Sequence, residues 1–272
     1  MTEFAALNSS LAEDIASLLR KIEYFRVETA AEKQAVYRLR YDCYRREGAI
    51  ASRSQKVLTD DFDECEDVFV FGLKIKNRLA GSIRLHILSD GQQASPTAQS
   101  FADIVAPLLA AGQIVIDPTR FVVDPDVRSL HPNLAYAILR LPFLAASHFA
   151  ADTALAAVCR EHMAFYARVL RYSKVSDPRQ YLQLTKPLGL MMANYSREKD
   201  AVLKRYPFFS ARPGEVEGLF GSAVPNGARH ICLRAQDNSC GAPDRPMGGR
   251  ASADNKRVSS SEAMNPGNRR EG

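Results

Sequence analysis

The apolar positions at the start of the chain recur with helical spacing, with Leu7, Leu11, Ile15, Leu18 and Ile22 on one face. The run Ile22-Glu23-Tyr24-Phe25-Arg26-Val27 then reads as a strand. Thr29, followed three residues on by Glu32, is a capping-box signal. It opens a helix through Val36, Leu39, Cys43 and Tyr44 that stops near Gly48, and a polar loop extends to Glu66. Residues 68–74 and 79–87 read as strands, with Lys76-Asn77-Arg78 suited to a hairpin turn between them. Residues 101–111 read as a short helix broken at Pro107, and 113–116 with 121–123 as a further strand region. An Ala- and Leu-rich helix follows over 133–150, kinked at Pro142. The rest of the pattern predicts strand 155–159, helix 162–170, strands 171–175 and 188–195, and a last helix over 197–205. An antiparallel start followed by alternating strands and helices predicts an α/β fold with a mixed sheet flanked by helices.

Composition changes this picture at one end. Residues 227–272 contain no Phe, Tyr or Trp and are dominated by Gly, Ser, Asn and Arg. A segment so poor in large apolar groups cannot offset its ordering entropy. The expectation is therefore one folded domain, residues 1–226, and a disordered basic tail, with Ile231 and Leu233 the last packing candidates. The chain carries 36 Lys+Arg against 31 Asp+Glu, a net charge of +5, and more than half of that excess falls in the tail. The body is close to neutral, so the net charge gives no ground for a nucleic-acid partner, and none is expected. Five Cys without a CxxC pair argue against a disulfide scaffold or a zinc ribbon, and no His spacing suggests a metal site. No apolar run approaches the ~20 residues of a membrane helix, and no basic region with an apolar core opens the chain. The expected setting is cytoplasmic.

The chemistry is spread over four segments: Arg40 with Tyr44, then Asp60-Asp61-Phe62-Asp63, then Gly81-Ser82-Ile83-Arg84, then Asp117-Pro118-Thr119-Arg120-Phe121. On the third, Ser82, Arg84 and His86 share one face of a strand and Ile83, Leu85 and Ile87 the other. A charge on a mid-sheet strand is costly unless paired, so the arginines and aspartates suggest a buried paired network. Such a network either builds a site or only holds the loop after Gly48 onto the sheet.

The order of these motifs resembles the LuxI-type acyl-homoserine-lactone synthases. It is more similar still to the related FeeM-type N-acyl amino acid synthases, through the run Glu161-His162-Met163-Ala164-Phe165-Tyr166-Ala167-Arg168 and the later Val175-Ser176-Asp177-Pro178-Arg179-Gln180-Tyr181. The resemblance spans residues 22–205 and implies a GNAT acyltransferase fold. It implies an enzyme that moves a long-chain acyl group from acyl carrier protein, or from acyl-CoA, to the α-amino group of an amino acid. Autoinducer (acyl-homoserine-lactone) synthesis and a non-catalytic acyl-binding module are the alternatives. By the resemblance, Arg40, Asp60, Asp63, Arg84 and Arg120 correspond to a charged cluster that closes the N-terminal region over the active site. Asp117 stands where these families usually carry Glu, the candidate base; Asp is one methylene shorter, so a base role here involves a bridging water or is absent. The chain has no Trp, which departs from the LuxI pattern.

Amide formation from a thioester needs a neutral amine, a group to take its proton, and a donor for the developing oxyanion. The resemblance implies that the donor is a backbone N–H of a splayed central strand, here the one holding Phe121, Val122 and Val123. The candidate catalytic set is Asp117, Arg120, Arg84 and His162. Candidate substrate contacts are Arg40, Tyr44, Asp60, Asp63, Phe121, Val122, Val123, Phe143 and Tyr166. The simpler reading of His162 is a helix cap. Phe143, Leu144, Phe149, Leu155, Val158 and Met163 read either as core or as the wall of an acyl tunnel. The segment 124–133 lacks the glycines of a pyrophosphate loop. That absence fits a donor with one phosphate, the phosphopantetheine arm of acyl carrier protein, with no permanently bound cofactor; the helix start near Asn133 either receives that phosphate or is a plain capped helix start. Arg128, Arg140, Arg160, Arg168 and Arg171 are the candidate docking face for that acidic carrier, or plain solvated surface.

Overall fold

The computed structural model describes residues 2–65, 68–90 and 94–221, with side chains from Ser10 onward. The expected tail, 227–272, lies outside the described residues. The described residues belong to one compact unit, Met1–Asp237; the second unit, Asn238–Gly272, also lies outside them.

Helix α1 (Thr2–Leu19) leads into strand β1 (Ile22–Arg26). The capping box forms as the sequence predicts: Thr29 accepts from the Glu32 amide and the Glu32 carboxylate accepts from the Thr29 amide, starting α2 (Ala30–Arg46). Strands β2 (Val68–Ile75) and β3 (Arg78–Leu88) form a hairpin turned by Lys76 and Asn77, both left-handed, the geometry of a tight two-residue loop. Then come α3 (Pro96–Ser100), α4 (Ala102–Ala110), β4 (Val115–Val123), α5 (Pro125–Leu130), α6 (Leu134–His148), β5 (Thr153–Val158), α7 (Arg160–Leu170), β6 (Ser173–Lys174), β7 (Gly189–Asn194), α8 (Tyr195–Arg205) and α9 (Glu215–Phe220). Among the described residues the strands form one seven-stranded sheet in the order β1-β2-β3-β4-β5-β7-β6, mixed because only β4 and β5 run parallel.

Four boundaries differ from expectation. The helical break falls at Phe101, between α3 and α4, and not at Pro107, which lies inside α4 on its exposed face. There the missing N–H leaves only a solvent-side carbonyl to be satisfied by water. The two runs 113–116 and 121–123 join as the single strand β4. Residues 125–130 form the short helix α5, capped by Asp124, which accepts from the amides of Asp126 and Val127. The strand expected over 171–175 shrinks to Ser173–Lys174, because Arg171 turns left-handed to end α7.

One face of the sheet packs on α1, α6 and the C-terminal segment. Ile83, Leu85 and Ile87 of β3 meet Ile138, Leu141 and Phe149 in a core that also takes Phe208, Phe209 and Phe220. Gly81 is required at this contact: a Cβ there would lie 2.8 Å from the Val122 carbonyl oxygen and 2.4 Å from Ile138 Cδ1. The C-terminal segment, absent from the periodic reading, is fastened by Arg140. That side chain is fully buried and donates to the carbonyls of Phe208 (2.7 Å) and Ser210 (2.5 Å) and to the Glu215 carboxylate. Arg140 therefore belongs to the core and not to a docking face; Arg128, Arg160, Arg168 and Arg171 are exposed.

Candidate active site

The opposite face of β3 carries Ser82, Arg84 and His86, all buried. Their partners come from α2, from the 3-10 turn Asp61–Glu64 and from β4. The turn is a closed unit: Asp60 accepts from the Phe62 amide, and Asp63 accepts back from the Asp60 amide at 3.2 Å and from Thr59 Oγ1 at 3.0 Å. Arg84 grips Asp60 with two nitrogens, at 2.5 and 3.2 Å. Arg120 donates to the same carboxylate at 2.5 Å, and Arg40 donates to Asp63 at 2.7 Å. Burial works against the charged form of both carboxylates, yet the guanidiniums of Arg84 and Arg120 hold Asp60 well below the usual range, and those of Arg40 and Arg84 lower Asp63. Arg84 Nε also donates to Thr119 Oγ1 at 3.0 Å, and the same oxygen lies 3.2 Å from His86 Nε2. Burial, with Arg84 beside it, lowers the His86 imidazole to about 3, so it is neutral. The network pins the loop after α2 onto the sheet, and two of its arginines, Arg84 and Arg120, line a cleft.

Arg120 reaches Asp60 through a backbone irregularity. Ser82 pairs with Val122 and Arg84 with Thr119, so β4 carries extra residues opposite Ile83. Arg120 sits in that bulge with φ of 53°. A left-handed arginine breaks the period-2 alternation and brings its side chain to the Asp60 side.

The cleft follows from the pairing of β4. This strand meets β5 at two positions, Val115 with Thr153 and Ile116 with Ala154, while β5 pairs with β7 along its whole length. Beyond Ile116 the two strands part, and backbone groups of β4 lose their neighbour. The opening has a volume of about 390 Å3, within the range of small-molecule sites. Tyr44, Glu47, Arg84, Arg120, Arg128, His162, Tyr181 and Lys186 are among its polar lining, and Val122, Ala156, Val158, Phe165, Leu184 and Leu188 are among its apolar walls. The Arg120 guanidinium lies 5.6 Å from the Tyr44 ring centre. The segment bearing Tyr181 is tied down by Arg179, which grips Asp103 at 2.6 and 2.9 Å, and by Thr185, whose amide donates to the Ala49 carbonyl at 2.9 Å.

Of the residues singled out from sequence, Tyr44, Arg84, Arg120, Phe121, Val122, Val123, His162 and Tyr166 line the cleft. Arg40, Asp60 and Asp63 stand behind it, in the ion-pair network. Phe143 lies elsewhere, packed on Tyr195 and Phe209 with ring centres 5.1 and 5.0 Å away. Asp117 is fully buried and is not part of the lining. It accepts from Thr97 Oγ1 at 2.8 Å, and Thr97 Oγ1 lies 3.0 Å from the Tyr181 hydroxyl. Thr97 is not singled out by sequence pattern, and Tyr181 is named only as the last residue of the run 175–181, without a role. Burial pushes the Asp117 carboxyl up to about 6 against the Ser95 and Thr97 hydroxyls, which favour its charge.

The family model of the N-acyl amino acid synthase FeeM matches residues 35–194, which include every group of the cleft just described. The chain belongs to this family. The solved structure of FeeM, an N-acyl amino acid synthase from uncultured soil microbes, is 19% identical; it covers 68% of this chain and 96% of its own, with a TM-score of 0.57. TofI, solved in a ternary complex with an inhibitor and MTA, is 13% identical over 70% of this chain and 100% of its own, at a TM-score of 0.50. The CoA-dependent acyl-homoserine lactone synthase BjaI is 14% identical over 69% and 89%, at 0.46. No curated protein sequence matches the chain. The mixed sheet flanked by helices is a fold shared with FeeM, and the chain is an N-acyltransferase of the FeeM family. No helix among the described residues is long and apolar enough to cross a membrane.

Proposed function

We propose that this enzyme transfers a long-chain acyl group from the phosphopantetheine thioester of acyl carrier protein to the α-amino group of an amino acid, in the cytoplasm. The observation that carries the reading is the two-sided lining of the cleft between β4 and β5. Apolar side chains from β4, β5, α7 and the approach to β7 suit an acyl chain. The wall of Tyr44, Arg84 and Arg120 suits a polar acceptor: three guanidiniums stand in the network against two carboxylates, leaving a positive excess near the cleft for the acceptor's own carboxylate. Backbone N–H groups of 121–123, released from β5, are the candidate oxyanion donors.

A single-phosphate donor is favoured by the helix starts below β4. The first turn of α5 is already satisfied by Asp124. The N-cap of α6, Asn133, makes no side-chain capping bond; the Leu134 and Tyr136 amides donate to the His131 and Asn133 carbonyls, which leaves the amide of Ala135, a cleft-lining residue, for a phosphate. Exposed Arg128 lines the cleft and supplies charge toward an acidic carrier.

The test is to incubate the full chain with long-chain acyl carrier protein or acyl-CoA and mixed amino acids, and to read products by mass spectrometry. N-acyl amino acid from the carrier is the expected product. Acyl-homoserine lactone formed only with S-adenosylmethionine would move the acceptor assignment, and preference for acyl-CoA would move the donor. No product of any kind would sink the reading.

A further inference from the structure

The sequence motifs put a carboxylate, Asp117, beside the reaction, but the fold places it behind the cleft wall. A base must reach the proton it takes, directly or through one carrier. The structure provides a side-chain route. Thr97 Oγ1 donates its proton to Asp117 Oδ1 (2.8 Å), so at its 3.0 Å contact with Tyr181 the Thr97 oxygen accepts and the phenol donates. The chain is polarised from Tyr181, on the cleft wall, through Thr97 to Asp117. The Tyr181 oxygen keeps its lone pairs for another donor. Around it stand Arg120 and Tyr44, both cleft groups, with Asp117 behind; around Asp117 stand Arg84, Ser95, Thr97 and Tyr172.

We infer that Tyr181 is a catalytic residue of this enzyme, taking the proton of the attacking amine and passing it through Thr97 to Asp117. The inference rests on the acyl-transfer reading above and adds its proton path. As the amine nitrogen bonds to the thioester carbon, its proton moves to Tyr181 Oη, the phenol proton to Thr97 Oγ1, and the threonine proton to Asp117 Oδ1. When the C–S bond breaks, the same chain runs in reverse and the proton ends on the departing sulfur. One proton leaves nitrogen, one arrives on sulfur, and Asp117 holds it between. Thr97 is a positioning and relay residue, with no substrate contact.

The geometry is fixed from several sides. Ser95 caps α3, accepting from the Ala98 amide at 2.9 Å, and Pro96 opens the first turn, so Thr97 is set by a rigid helix start. Tyr181 packs on Phe101, with ring centres 6.4 Å apart. Burial and the Asp117 charge keep the phenol protonated far above neutrality, as a donor in this direction requires. Asp117, pushed up to about 6, is mostly ionised at neutral pH and can still hold a proton briefly.

The test uses the full chain, its acyl donor and whichever amine it turns over. Tyr181→Phe and Thr97→Val should each lower kcat about 100-fold or more while leaving the donor KM unchanged. Thr97→Ser, which keeps the hydroxyl, should restore most of the rate. Wild type and Thr97→Ser should share an acid limb in kcat near pH 6, and Thr97→Val should lose it. A Thr97→Val enzyme within threefold of wild type, a Thr97→Ser enzyme as slow as Thr97→Val, or an unchanged acid limb would each overturn the relay alone. A wild type that acylates no amine at all would instead overturn the acyl-transfer reading, and the relay with it.

Discussion

Replacing Asp117 by Asn isolates what this carboxyl costs the fold. The group is fully buried, one of its oxygens has no hydrogen-bond partner, and its titration moves from an ordinary 3.8 up to about 6. A raised carboxyl means that the native state binds its proton more tightly than the unfolded chain does. Asp117 therefore contributes its full stabilisation below about pH 4, and that contribution is lost as pH rises through 6. About two pH units at 1.36 kcal/mol each gives about 3 kcal/mol lost between pH 4 and pH 8. The other acids cannot imitate this. Asp60, Asp63 and Glu215 are held low, so what they contribute is present above pH 4 and lost as pH falls, in wild type and variant alike. Urea unfolding of wild type and Asp117→Asn at pH 4, 6 and 8 gives the difference directly. The variant should gain on wild type by up to about 3 kcal/mol over that interval, whatever constant offset the unpartnered amide introduces. Parallel stability curves would refute the reasoning, because they would mean that Asp117 titrates normally and is not desolvated.

Three further outcomes follow from the packing. Asp60→Asn strips Arg84 and Arg120 of their shared carboxylate in a buried setting, and urea unfolding should show a loss of about 3–5 kcal/mol; a loss below about 1 kcal/mol would mean that solvent already reaches the pair. Glu215→Ala removes the carboxylate partner of Arg140 and should cost about 3 kcal/mol, with proteolysis appearing first after Phe209 while turnover per folded molecule is unchanged. Val158→Phe, in the cleft wall, should shift the preferred acyl chain to shorter lengths by at least two carbons in a competition assay, whereas Phe143→Leu, outside the cleft lining, should leave chain preference alone.

The fold was readable where local rules and burial agree. Arg84 announced itself as a lone charge among Ile83, Leu85 and Ile87, because an apolar strand tolerates a guanidinium only with partners, and the Thr29–Glu32 box marked the helix start that sets Arg40 and Tyr44 one turn apart on one face. Arg120 was readable as a member of the network but not in its geometry, since the left-handed bulge that aims it breaks the alternation by which strand faces are read. Arg140 is a lone charge on the Ala- and Leu-rich α6 and reads as surface; the arrival of Phe208, Phe209 and Phe220, aromatics without a period, buries it. The same limit hid Tyr181 and Thr97. Their contact joins positions 84 residues apart across two segments with no repeating pattern, and nothing in either segment by itself distinguishes a relay hydroxyl from a capping one. Asp117 was visible because a carboxylate in an apolar strand is expensive. Its use was not, because the cost is met by a threonine that looks like an ordinary helix-start residue. A burial penalty in a sequence thus locates a site more readily than it assigns the groups that act there, and at this site the acting group on the cleft wall is the one with no penalty to reveal it.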